Sequence, residues 1–532
     1  MGLAAQKCPI RPIGHICPMV VSTESRSSAM AYEVAHYDPS ELDRAMVRVP
    51  AGKVLFGLTP EEKAAQAQAA GVHPDMLHFH ADRRELEVGE FWMDKHPVTR
   101  GQFLRFMQAT GYSILYNGWL VGWAELTGWH HFAPENLALP MVGVNSEDAA
   151  AYAAWLGKRL PTEVEWERAW RGADGRLWPW GSGWRDGFCF RNPGNVSLAI
   201  AIPVGAYPDC GPFGLGSYGL VGEWVRVVYP QSNRAGTSSD PSSAVLAGGA
   251  FCHRQPYSFL PSNRLSWASQ MRIYDSGFRC MSDKPPDGFV EKPSYRVESY
   301  TPPRPVAIRE DLYLKAPIRL VPYQCSTFAI YVPWFPEGMW VLDCPEGDWD
   351  EFGGANSWPS RPKADWLVPW QVEAGGARIS YLRESAGKRV FFEAWAEGHT
   401  VRWRFDLTGV APVHAGSFCL KTLSPFFSSQ ERFTQVRLEA GKLTRCCERP
   451  LAPEPSASLA WSLGEVAPPA RAGCVSYDGR GRMLFPEGDL VFSGNGWPHC
   501  THVTPGGWGT GGRRSDLLEK TGGGSVAFVL GS

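Results

Sequence analysis

The stretch Gly248-Gly249-Ala250-Phe251-Cys252-His253-Arg254 sets a thiol behind a glycine turn and beside two side chains that can carry positive charge. A cysteine acts as a nucleophile or soft metal ligand only as its thiolate, and an adjacent cation favours that form. Cys252 and His253 are therefore the candidate catalytic pair. Arg254, Tyr257, Asn263 and Arg264 follow within a dozen residues and form the candidate substrate-binding set. A plainer reading covers the same residues. Most free cysteines are small apolar packing groups, His253 and Arg254 equally suit solvent, and Arg264 suits a surface salt bridge.

Two further clusters carry chemistry on paper. HPDMLHFH supplies His73, His78 and His80 within eight residues, enough imidazoles for a metal or simply an exposed loop. DCPEGDWDEFGGANSW gathers Asp343, Glu346, Asp348, Asp350 and Glu351, with Trp349 and Trp358 beside them. Such a group could hold calcium or act as paired carboxylates on a sugar, and it equally describes a solvated acidic loop. Trp166 and Trp180 read as core residues, and Arg279 as a structural arginine pairing a carboxylate.

Helices must position the first group. In TRGQFLRFMQA, Phe103, Phe106 and Met107 recur at three and four residues behind Thr99, a ready N-cap. NSEDAAAYAAWLGKRLPTEVEWERAWRG holds two more: Ser146 caps the first, Gly157 ends it, and Thr162 with Glu165 makes a capping box for the next. Trp166 and Trp170 then share one side. The stretches around 178–228 are loops rich in tryptophan, held by packing those rings rather than by propensity.

At 532 residues the chain exceeds one ordinary core. Residues 1–43 read as a poorly ordered leader, 44–283 as a first domain, 284–304 as a Pro-rich linker and 305–532 as a β-rich domain. In the last, STFAIYVPWF, RISYLRE, KRVFFEAWAE, TVRWRFDLTGV and FTQVRLEAGKLTR alternate at period two, the pattern of an antiparallel β-sandwich. A net charge of -2 excludes a nucleic-acid field. No run approaches the ~18 apolar residues of a membrane span. The 13 cysteines form no CxxC pair and read as mostly reduced thiols, so the expected location is the cytoplasm.

In order along the first domain, MVRVPAGKVLFG, MDKHPVTRGQF, PMVGVNSEDAAAYAAWLGKRLPTEVEWERAWRG, VLAGGAFCHR and GFRC resemble the formylglycine-generating enzyme, or sulfatase-modifying factor, superfamily. The resemblance implies an α+β fold overall: a C-type-lectin-like domain with much irregular structure, followed by the β-sandwich that it does not cover. Its active members oxidise a sulfatase cysteine with oxygen, through copper(I) held by two cysteines. Cys252 falls at the first of these positions and Tyr257 at the second, and Ala250 replaces the serine of the glycine turn. One thiolate is a poor cage for copper(I).

The resemblance also implies a calcium site. It places Glu223 and Arg226 at two ligand positions, where a guanidinium opposes binding and pairing with Glu223 could replace the ion. Iron-dependent relatives use a preceding helical bundle, which the short leader does not supply. The cofactor therefore stays open between copper and iron, with calcium disfavoured. Two functions remain: an oxygen-dependent oxidase acting on a peptide or small thiol, or a catalytically silent module whose lectin-like cleft takes a peptide, protein or small-molecule ligand. No nucleic-acid partner is expected.

Overall fold

The computed structural model of the chain describes residues 32–70, 80–112, 131–191, 202–228, 244–251, 255–265 and 275–301, with Leu77, Ile114 and His253. Beyond residue 310 it describes a series of strands and some of the turns between them. The first half runs β1 (Tyr32–His36), α1 (Pro39–Leu42), β2 (Met46–Val49), β3 (Gly52–Phe56), α2 (Pro60–Ala69), β4 (Arg84–Val88), β5 (Phe91–Asp94), α3 (Arg100–Thr110), α4 (Ser146–Trp155) and α5 (Glu163–Arg171). Six short strands complete the described part of it: β6 (Gly222–Arg226), β7 (Ala244–Ala247), β8 (Arg264–Leu265), β9 (Ser276–Gly277), β10 (Met281–Ser282) and β11 (Arg296–Tyr300).

Each of the four longer helices starts on a reciprocal capping box. The pairs are Thr59 with Glu62, Thr99 with Gln102, Asn145 with Asp148, and Thr162 with Glu165. Two orphan N–H groups are satisfied at each start, which fixes where helix begins in a chain of otherwise modest propensity. The cap of α4 is Asn145 rather than Ser146, because the Asn145 side chain reaches the Asp148 N–H and the Asp148 carboxylate reaches back to the Asn145 N–H.

The apolar stripes face inward as their spacing demands. Phe103 and Phe106 of α3 pack with Tyr152 of α4, Trp224 of β6 and Phe278. Trp166 and Trp170 of α5 pack with Phe56, Phe91, Met93, Tyr218, Tyr257 and Phe259 in a second cluster. Between these helices lie two small sheets, ordered β10-β5-β2 and β8-β7-β6-β9, and α5 crosses the β3–β4 ribbon.

The leader and linker readings are corrected where residues are described. β1 pairs antiparallel with β11, Tyr32 opposite Tyr300, and the pair packs on Leu139 and Val204 through Tyr32 and Tyr295. The Tyr37 hydroxyl sits 2.6 Å from the Thr99 hydroxyl at the start of α3, and Tyr295 donates to the Val204 carbonyl at 2.6 Å. Burying this tyrosine-rich strip is what orders two segments whose composition is polar.

The second half is built of antiparallel strands. One six-stranded sheet is ordered Arg319–Gln324, Thr327–Tyr331, Met339–Asp343, Phe418–Thr422, Cys500–Pro505, Leu490–Gly494. Another is ordered Gln371–Val372, Arg378–Ser385, Lys388–Glu397, Thr400–Asp406, Gly522–Leu530, Arg482–Pro486. They touch where the Phe328 ring meets Phe392 at 5.9 Å and Trp370 at 6.2 Å. A three-stranded sheet centres on Gln435–Glu439. Mixed helices and antiparallel sheets make the chain α+β. Among the described residues, no helix is long and apolar enough to cross a membrane.

Candidate functional site

The loop between β7 and β8 is closed on itself by backbone and amide bonds. Gly248 N–H donates to the Asn263 carbonyl at 3.1 Å, while Asn263 Nδ2 donates to the carbonyls of Gly248 at 3.1 Å and Ser258 at 3.0 Å. Gly248 has φ +77°, and a Cβ there would stand 2.7 Å from Trp166 Cη2, so the turn requires glycine on both counts. Cys252 and Arg254 lie outside the described residues.

His253 is described, and it is 1% exposed. Its Nδ1 accepts the Ala250 N–H at 2.9 Å, which leaves the ring proton on Nε2. Burial pushes its pKa down to about 4. The imidazole is therefore neutral at neutral pH, and the expected cationic help to Cys252 does not come from it. Tyr257 lies on a short 3₁₀ turn, Pro256–Phe259, and is 2% exposed within the core around Trp166 and Tyr218.

Residues that the sequence reading did not assign hold this loop from outside. Trp178 Nε1 donates to the Pro256 carbonyl at 3.2 Å, and the Trp184 ring lies 5.5 Å from Phe259. Trp180, read as core, is indeed buried and stacks on Phe188 at 5.3 Å. The available signal was the close spacing of Trp178, Trp180 and Trp184 in a segment with little other apolar content.

Asn263 and Arg264 face inward instead of into a cleft. Arg264 Nε reaches Glu163 at 3.2 Å, its Nη2 reaches Glu167 at 2.7 Å, and its Nη1 donates to the Pro261 carbonyl at 2.5 Å and the Asn263 carbonyl at 3.0 Å. Glu167 also takes Arg171 at 2.6 Å and the Gly57 N–H at 2.7 Å. The reason is helical geometry. Glu163, Glu167 and Arg171 recur every four residues on the buried side of α5, so the two carboxylates require cations inside the fold.

Arg279 behaves as expected of a structural arginine. It makes a two-pronged contact with Glu223 at 2.6 and 2.9 Å, and Glu223 also accepts Trp166 Nε1 at 2.7 Å. Arg226 is exposed and does not serve as the partner of Glu223, which corrects that expectation. The calcium implied by the resemblance does not fit here, since the Glu223 carboxylate is already neutralised by a guanidinium. Copper(I) fits no better at Tyr257, which offers a core phenol where a second sulfur is needed.

Of the histidine cluster, His80 is buried with Nδ1 3.0 Å from Ser262 Oγ, and its strand bridge to Asn263 ties residue 80 to the end of the loop. The exposed-loop reading fails for this residue. His73 and His78 lie outside the described residues. So do Glu346, Asp348, Trp349, Asp350, Glu351 and Trp358; the backbone of Asp343 ends the strand Met339–Asp343.

With this geometry in place, the known proteins that resemble the chain can be set beside it. The sulfatase-modifying factor enzyme 1-like domain family matches residues 32–284. A formylglycine-generating enzyme of Mycobacterium tuberculosis is 29% identical over 270 residues, covering 37% of this chain and 89% of that protein. The inactive C-alpha-formylglycine-generating enzyme 2 of Mus musculus is 28% identical over 284 residues, covering 45% and 86%. Among solved structures, PvdO from Pseudomonas aeruginosa aligns at 22% identity over 45% of this chain and 94% of that one, with a TM-score of 0.34. Residues 32–284 belong to the formylglycine-generating enzyme, or sulfatase-modifying factor, superfamily.

Proposed function

We propose that the superfamily domain is a C-type-lectin-like binding module that no longer performs copper-dependent formylglycine formation, and that the β-strands of the second half form a separate sandwich domain offering a second contact. The observation that carries this is Tyr257, which takes the place of the second thiol and is 2% exposed in the core. The neutral, buried His253 adds to it, because it brings no positive charge to the loop that holds Cys252. A relative named as inactive at 28% identity is consistent with a family in which fold outlives chemistry. The oxidase alternative rests on Cys252 and on the relatives named as active enzymes.

The test is incubation of the full chain with copper(I), oxygen and a sulfatase-type cysteine peptide, followed by mass spectrometry of the peptide and a binding isotherm. Binding without conversion is the expected result. Efficient conversion to the aldehyde overturns the proposal in favour of the oxidase. Neither binding nor conversion overturns the peptide-binding half of it.

A further inference from the structure

We draw no further inference here: the strongest candidate, the outward face of the strands Arg378–Ser385, Lys388–Glu397 and Thr400–Asp406, sets Trp395, Phe391 and the exposed Leu382 beside arginines that Glu393, Glu397 and Asp406 already pair, and nothing in the structure shows what covers it.

Discussion

Replacing Arg264 by methionine separates a core role from a ligand-contact role. In the folded chain its guanidinium meets Glu163 at 3.2 Å and Glu167 at 2.7 Å and donates to two backbone carbonyls, all without solvent. The α5 cluster then balances two carboxylates against two guanidinia, because Arg171 also meets Glu167. Methionine fills similar volume but removes the Arg264 contact from Glu163, which still accepts the Val228 N–H at 3.2 Å, while Glu167 keeps Arg171 and the Gly57 N–H. Removing one partner of a buried pair costs about 3–5 kcal/mol. For a domain of this size that corresponds to a fall of roughly 6–20 °C in Tm, taking about 2–4 °C per kcal/mol. Urea and thermal unfolding followed by tryptophan fluorescence measure it, since Trp166 and Trp170 sit on the same helix. Adding Glu163→Gln should recover part of the loss, because the residual charge is then gone. A surface arginine would cost within about 0.5 kcal/mol. A loss below ~1 kcal/mol, or a double variant whose losses simply add, refutes the buried-network account.

Three further outcomes are expected. His253 has its folded pKa depressed to about 4 from an unfolded value near 6.5, so the unfolded chain binds the extra proton and stability falls as pH drops from 6.5 to 4. At the acid end this amounts to about 3 kcal/mol, and a His253→Asn variant should show a pH–stability slope shallower by up to one proton across that window; an unchanged slope contradicts the burial. Burial raises the thiols of Cys189 and Cys280 and lifts Cys210 to about 12, so iodoacetamide at neutral pH should label these three only after unfolding. If Cys252 labels no faster than they do in site-resolved mass spectrometry, it too is a packing residue. Starting the chain at residue 44 removes β1 and Tyr37 and should lower Tm by several degrees and open 295–300 to protease; equal stability would show that the β1–β11 pair is dispensable.

Local signals were readable in the sequence because they act over three or four residues. Thr99 and Thr162 cap helices where their types and spacing say they should, and Trp166 and Trp170 meet edge to face at 6.1 Å on α5. The strands of the second half follow their period-two runs, with Lys388–Glu397 pairing through residues 388–395 to one neighbour and 391–397 to the other. Pairings between distant segments were not readable. Tyr32–His36 and Arg296–Tyr300 are separated by most of the superfamily domain, and both are short and mostly exposed, so local pattern does not reveal the partner.

The direction of a charged side chain was the hardest property to read at the site. Arg264, Arg279 and Arg226 look alike in sequence, each beside apolar residues and each able to face a ligand. What separates them is the supply of carboxylates inside the fold. Glu163 and Glu167 share one face of α5 with Arg171, and Glu223 stands on β6 beneath Trp166. Buried acids of this kind need buried bases, since an unpaired charge in the core costs more than any single contact returns. Arg264 and Arg279 answer that demand, while Arg226, at the end of β6, is left for solvent. The superfamily loop is thereby anchored at Asn263 and Arg264 through the core of α5.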